Sequence, residues 1–292
     1  MTNQQNSSLR KILVADSGST KTDWKFIAPK NEVLISTPGI NPYYQDAESI
    51  TQSLEAEPNF QKLSLLEPSE IFFYGSGCST FENQDIIKKA LLKFFPSASI
   101  FVSHDLLAAA RSLCGPSPGI ACILGTGSNS CFFDGKDILE NLPNLGFWLG
   151  DEGSAGFLGK NLIIKWFHKE MPEHLWQKFE DKYKPDRDLF LDKVYHQLYP
   201  NRFIAGFAPF LSENISNNWC KELVSSAFRL FLNRFVLPYP DSDKLPVHFL
   251  GSIANHFEEI LKAEISQMGL IQGKIQFSTI EDLAAFHWKT LV

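Results

Sequence analysis

The chain has 292 residues, 44% of them hydrophobic and 21% charged, with a formal net charge of -6. This balance excludes a disordered chain, and the length fits one large domain or two of about 100–200 residues. The acidic charge, without a long basic run, argues against a nucleic-acid partner, and no apolar run approaches the roughly 20 residues of a membrane span.

Residues 1–10 are polar and lack the apolar core of a signal peptide, so a soluble, cytoplasmic protein is expected. The cysteines are Cys78, Cys114, Cys122, Cys131 and Cys220, an odd number without Cys-x-x-Cys spacing. Buried free thiols are expected rather than a disulfide framework or a zinc site. The 25 phenylalanines point to aromatic-rich cores.

An apolar run at 12–15 enters Asp16-Ser17-Gly18-Ser19-Thr20-Lys21-Thr22-Asp23, and a β-prone run to 27 leaves it. This reads as strand, turn, strand. Gly18 lets the backbone approach a ligand closely. Ser17, Ser19, Thr20 and Thr22 offer hydroxyls, and such a concavity suits a phosphate. Asp16, at the mouth of the strand, is placed to hold a magnesium ion through water. The plain alternative is an ordinary hairpin with a polar turn.

A third strand is expected at 33–36, a loop at 37–42, a helix at 46–57 and a buried strand at 71–74 that ends in Gly75-Ser76-Gly77. Positions 81–95 carry apolar residues at helical period and stop at Pro96. A strand at 99–102 and a helix at 105–113 come next. The first 115 residues therefore read β-β-β-α-β-α-β-α.

Gly115-Pro-Ser-Pro-Gly119 is the best linker candidate. Beyond it the opening pattern returns: a strand at 120–124, the small-residue turn Gly125-Thr126-Gly127-Ser128-Asn129-Ser130, and a strand at 131–135. Each half starts alike, which suggests two related lobes with a phosphate-binding turn in each. Gly150-Asp151-Glu152-Gly153-Ser154 then precedes an amphipathic helix at 157–169, which Ser154 could cap. An all-helical insert runs to about 235, and His168, His174 and His196 within it lack metal-ligand spacing. A strand at 247–250, Gly251-Ser252-Ile253-Ala254, a helix to about 268, a strand at 274–277 and a helix at 280–291 complete the chain.

The ordered set Asp16-x-Gly18-x-Thr20-x-Thr22-Asp23, Asp105, Gly125-Thr-Gly-Ser-Asn129, Gly150-Asp-Glu-Gly-Ser154 and Gly251-Ser-Ile253 resembles the N-acetylglucosamine kinases of the eukaryotic type and their bacterial relatives. These belong to the superfamily of sugar kinases, actin and heat-shock chaperone ATPases. The resemblance spans about residues 11–291. It implies an α/β fold of two ribonuclease H-like lobes with an interlobe cleft: residues 1–115, with 280–292 expected to pack on that lobe, and 116–292 with a helical insert at about 160–236. It implies ATP and Mg2+ as cofactors and transfer of the γ-phosphoryl to the 6-hydroxyl of an amino sugar, most simply N-acetylglucosamine. A homodimer stays open.

By the same resemblance, Gly18, Ser19, Thr20 and Lys21, with Gly125, Thr126, Gly127 and Ser128, would cradle the phosphates. Asp16 would orient the hydrated magnesium, and Gly251, Ser252 and Ala254 would lie against the adenosine. Asn41, Gly77, Asp105, Asn129, Leu145, Gly146 and Asp151 would face the sugar, with Asp105 as the catalytic base. The residue types agree, since phosphoryl transfer needs positioning and charge neutralisation more than covalent chemistry. Asp105 also has a plain reading as an N-cap, and Asp151 and Glu152 as a capping cluster. Leu145-Gly146-Phe147-Trp148 stands where vertebrate-type enzymes have Gly-Trp-Gly, which leaves glucosamine or a muramic-acid derivative open as the sugar. The rival reading is an ATPase that activates a radical dehydratase or reductase, which needs interface cysteines for an iron–sulfur cluster. Only Cys78 and Cys131 lie near motifs.

Overall fold

The computed structural model describes residues 10–18, 20–184, 186–197 and 199–290. The chain divides into two compact units, residues 1–115 with 278–292, and residues 116–277. Ser19, assigned above to the phosphate turn, and the last two residues lie outside the described set.

In the first unit β1 (Ile12–Ser17), β2 (Lys21–Ala28), β3 (Asn31–Pro38), β4 (Glu70–Gly75) and β5 (Ser99–His104) form a sheet in the order β3-β2-β1-β4-β5. β2 runs antiparallel to β1 and β3, while β1, β4 and β5 are mutually parallel. The central strand is apolar at every position from Ile12 to Ala15 because both faces are covered. Leu13 and Ala15 point into a core with Trp24, Phe60 and Phe73. Ile12 and Val14 point the other way, onto Tyr74, Ala108, Leu283 and Ala284.

Helices α1 (Ala47–Glu55), α2 (Pro58–Ser64), α3 (Phe81–Phe94) and α4 (Asp105–Cys114) come in order. Asp46 caps α1 through Ser49 N–H at 2.8 Å, and Thr80 caps α3. The sequence pattern misses α2. Pro58 stands at its start, and its Phe60 packs on Trp24 with centroids 4.9 Å apart.

In the second unit β6 (Gly119–Leu124), β7 (Ser128–Phe133), β8 (Ile138–Glu140), β9 (Pro246–Leu250) and β10 (Ile271–Gln276) take the order β10-β9-β6-β7-β8. From the matching end, this is the succession of the first sheet. Both units therefore have the ribonuclease H-like plan. Helices α5 (Gly146–Leu149), α6 (Ala155–Phe167), α7 (Glu173–Tyr183), α8 (Arg187–Tyr195), α9 (Pro200–Ala205), α10 (Pro209–Glu213) and α11 (Asn218–Phe235) lie between β8 and β9. The aromatic residues concentrate here: Trp166 stacks on Trp176 at 5.7 Å, and Phe179 meets Phe210 edge-on at 5.1 Å. Helices α12 (Ser252–His256) and α13 (Glu258–Gln267) connect β9 to β10. The last helix, α14 (Ile280–Thr290), belongs to the first unit.

Candidate active site

The register of the first sheet aligns Ser17 with Gly75 and Gly75 with His104. The three parallel strands thus end in one row, and candidate residues stand immediately after each: Gly18 after β1, Ser76 and Gly77 after β4, and Asp105 after β5. Ligands of open α/β sheets bind beyond such carboxyl ends. The turn between β1 and β2 closes through Gly18 N–H donating to Lys21 O at 3.0 Å. Thr20 is exposed, and Lys21 pairs with Asp23 at 2.8 Å.

Ser17 and Thr22 do not serve a phosphate. Both are fully buried and bonded to one another at 2.7 Å, and Ile40 N–H donates to the Ser17 hydroxyl at 3.1 Å. They fasten the loop that carries Asn41. In that loop Tyr43 N–H donates to Asn41 Oδ1 at 3.0 Å. Gly77 has φ of +84°, and a Cβ there would stand 2.5 Å from Asn41 Oδ1. Glycine alone permits this approach of the two sugar-side candidates.

Asp16 is a half-buried carboxylate whose Oδ2 accepts the hydroxyl of Thr279, the residue before α14. Burial pushes its carboxyl up to about 6, against the pull of the Thr279 hydroxyl. A carboxylate short of charge compensation is a hard oxygen donor suited to a hydrated magnesium ion, whose remaining ligands are waters and phosphate oxygens. The residues present fit that ion.

Asp105 is not the N-cap. His104 holds that position without a side-chain cap bond, and Asp105 is the first residue of α4. Its Oδ2 accepts the Ser76 hydroxyl at 2.7 Å. Its Oδ1 takes no hydrogen bond from any described residue. Beside it, the buried Cys78 thiol is pushed up to about 12, first by desolvation and then by the Asp105 charge.

In the second unit the two turns meet. Gly251 has φ of +118°, and a Cβ there would stand 2.5 Å from Leu124 O, immediately before Gly125. Gly251 N–H donates to Gln276 O at 2.9 Å. The phosphate candidates Gly125, Thr126 and Gly127 and the adenosine candidates Ser252 and Ala254 therefore leave adjacent parallel strands at the same end.

Asp151 sits with the candidate phosphate turn. Its Oδ1 accepts Ser128 N–H at 3.1 Å and Asn144 Nδ2 at 3.0 Å. A Cβ on Gly127 would stand 3.0 Å from its other oxygen. Burial raises its carboxyl above the ordinary range. Asn144, which the sequence gives no reason to single out, ties this group together. Its Oδ1 accepts Gly146 N–H at 2.9 Å and Asp151 N–H at 3.2 Å, and its Nδ2 donates to Ser128 O. Leu145 is exposed beside Gly146. Asn129 stands apart on β7, its Oδ1 accepting Asn141 Nδ2 at 2.9 Å. Glu152 pairs with Arg234, and Ser154 caps α6 through Phe157 N–H at 3.1 Å.

A crystal structure from Porphyromonas gingivalis, provisionally named an N-acetylglucosamine kinase, is 41% identical at a TM-score of 0.91, over 96% of this chain and 100% of that one. The chain belongs to the N-acetylglucosamine kinase family. A structure from Chromobacterium violaceum of the same provisional name shares the fold at 18% identity and a TM-score of 0.71, over 96% and 99% of the two chains. A transcriptional regulator of the ROK family, at 11% identity and a TM-score of 0.55 over 96% and 78%, also shares it. A fold that hosts both kinases and regulators leaves function to the site residues. No protein-family model matches this chain, and no curated protein matches it. None of its described helices is long and apolar enough to cross a membrane.

Proposed function

We propose that this chain is an ATP-dependent sugar kinase that transfers the γ-phosphoryl group of ATP to the 6-hydroxyl of an amino sugar, N-acetylglucosamine first among them. The observation that carries this reading is the Asp105 carboxylate, with one oxygen held by Ser76 and the other open, at the same sheet end as the Asp16 carboxylate. Phosphoryl transfer uses one carboxylate to receive the acceptor proton and another to organise the metal. The name carried by the 41% identical relative supports the substrate class.

In this mechanism Asp105 Oδ1 accepts the proton of the sugar 6-hydroxyl as its oxygen bonds the γ-phosphorus. The bond from that phosphorus to the bridging oxygen breaks, and ADP leaves. Gly18, Thr20 and Lys21, with Gly125, Thr126, Gly127 and Ser128, hold the phosphates. Gly251, Ser252 and Ala254 hold the adenosine. Asn41, Gly77, Asn129, Leu145, Gly146 and Asp151 set the sugar hydroxyls, and a pattern of paired donors and acceptors rejects sugars that leave one unpaired. Asp16 would hold magnesium, which would supply neutralisation of the phosphate charge.

Cys78 and Cys131 are both fully buried, which counts against the dehydratase-activator reading. The test is ADP release with Mg2+ and ATP over a panel of hexoses and amino sugars, the phosphorylated position then read by NMR. Strong stimulation by N-acetylglucosamine with phosphate on O6 is expected. A preference for glucosamine or a muramic-acid derivative would change the sugar and keep the kinase. ATP binding without any sugar-stimulated turnover would overturn the reading.

A further inference from the structure

The turn after β4 is anchored at several points besides Ser76's hydroxyl. Ser76 N–H donates to Ser17 O at 2.9 Å, which extends the β1–β4 ladder by one rung. Asn83 Nδ2 donates to Gly77 O at 2.7 Å and Gln84 Nε2 to Cys78 O at 3.0 Å. With the backbone fixed this way, the Ser76 hydroxyl is free of any fastening task in the loop. Its proton goes to Asp105 Oδ2 at 2.7 Å.

Asp105 does not need that bond merely to be tolerated. It is only half-buried and stands in the first turn of α4, where the helix dipole already favours a negative charge. What the hydroxyl adds is direction. A serine has one proton to give, and giving it to Oδ2 fixes the carboxylate plane and leaves the lone pairs of Oδ1 open on the other side. Asp105's backbone continues from β5 and Ser76's from β4, so two adjacent parallel strands set the carboxylate's orientation.

We infer that Ser76 is a positioning residue for the Asp105 base: its hydroxyl holds Oδ2 so that Oδ1 faces the attacking hydroxyl. This rests on the kinase reading of Asp105. Effective general-base catalysis requires hydrogen-bond reach in the reactive geometry, and small misplacements are expensive in rate. The role belongs to turnover and not to substrate affinity.

The test is a double-mutant cycle on the full chain, with steady-state kinetics and melts of Ser76→Ala, Ser76→Thr, Asp105→Asn and Ser76→Ala/Asp105→Asn. Loss of a hydrogen bond to a charged group predicts a fall in kcat of about tenfold or more for Ser76→Ala. Sugar and ATP KM values and the melting midpoint should stay close to those of the unmodified protein. Ser76→Thr, which keeps the hydroxyl, should recover most of the turnover. In the Asp105→Asn background, Ser76→Ala should cost nothing further, because there is no base left to orient. Full kcat in Ser76→Ala, a loss confined to KM, or effects that multiply in the double variant would overturn the role of Ser76 while leaving the base intact. Full turnover in Asp105→Asn, or no sugar phosphorylated at all, would instead overturn the kinase reading of Asp105, and the inference with it.

Discussion

Thr279 donates its hydroxyl to Asp16 across 263 positions of sequence. The bond joins the residue before the last helix to the end of the first strand, and it offsets part of the desolvation of Asp16. Thr279→Val should therefore weaken Mg·nucleotide binding and lower stability by about 1–3 kcal/mol, the usual range for a buried group left unpaired. Thr279→Ser should do neither. Calorimetric titration of Mg2+ with ADP, beside a chemical melt, reads both effects.

Asp16→Asn should separate stability from activity. The amide keeps the Thr279 bond and removes a desolvated charge, so the melting midpoint at pH 7.5 should hold or rise. Sugar-dependent turnover should fall by about a hundredfold or more if the proposed magnesium site loses its carboxylate. A variant that loses both together would mean Asp16 is a structural residue.

Asp105→Asn should lower kcat by about 10²–10⁴ with ADP affinity unchanged, the range for loss of a general base. Because Asp105 is not the helix cap, no cap is lost, and the melt should not move. An active variant would move the base to another carboxylate.

Gly251→Ala places a methyl group 2.5 Å from Leu124 O at a φ of +118°. The backbone must shift, and the adjacent Gly125 turn shifts with it. The expected result is a destabilisation of about 1–3 kcal/mol and an ATP KM raised far more than the sugar KM. Equal changes in both would detach this glycine from the nucleotide.

His287 and Asp16 pull the pH dependence of the first unit in opposite directions. Arg111 Nη1 donates to the Tyr74 hydroxyl at 2.6 Å, and that hydroxyl lies 2.7 Å from His287 Nε2, to which it donates when the ring proton is on Nδ1. The ring must be neutral to accept. Burial first, and then Arg111 and Arg10, hold it at about 3, well under the usual 6.5. A depressed histidine contributes stability above pH 6.5 and loses it as pH falls toward 3, at up to about 1.4 kcal/mol per pH unit. The stability difference between the unmodified protein and His287→Gln, which keeps an acceptor, should change with this slope in melts from pH 7.5 to 5, the Asp16 contribution being common to both.

The parts of the candidate site written in local sequence stand out in the chain alone. Asp16, Gly18, Gly125 to Ser128 and Gly251 announce themselves because a strand with a small-residue turn after it is a short pattern, and the repeat of that pattern foretold two like sheets. Asp105 stood out as a candidate, but its place at the helix start was ambiguous until His104 took the cap. Ser17 and Thr22 look like ligand hydroxyls in sequence, and only closure of the loop on Ile40 buries them. Thr279, Asn144 and the Ser76 bond depend on register and on distant chain, so no window contains them. The last strand begins earlier than expected, at Ile271. Gly273, where a Cβ would stand 2.5 Å from His248 Nδ1, interrupts its apolar alternation with a bulge.

Residues 278–290 cover Ile12 and Val14 from the far end of the chain. Until the chain beyond Phe277 has been made and released, the first unit, synthesised earlier, still shows one bare apolar face. The usual order, in which the amino-terminal domain finishes first during synthesis, does not apply, because the first unit needs residues that follow the second. Any nascent chain halted before Ser278 carries an uncovered central sheet, open to chaperones or to self-association. Loss of the last fifteen residues should be felt as aggregation from the first strand, at the opposite end of the gene.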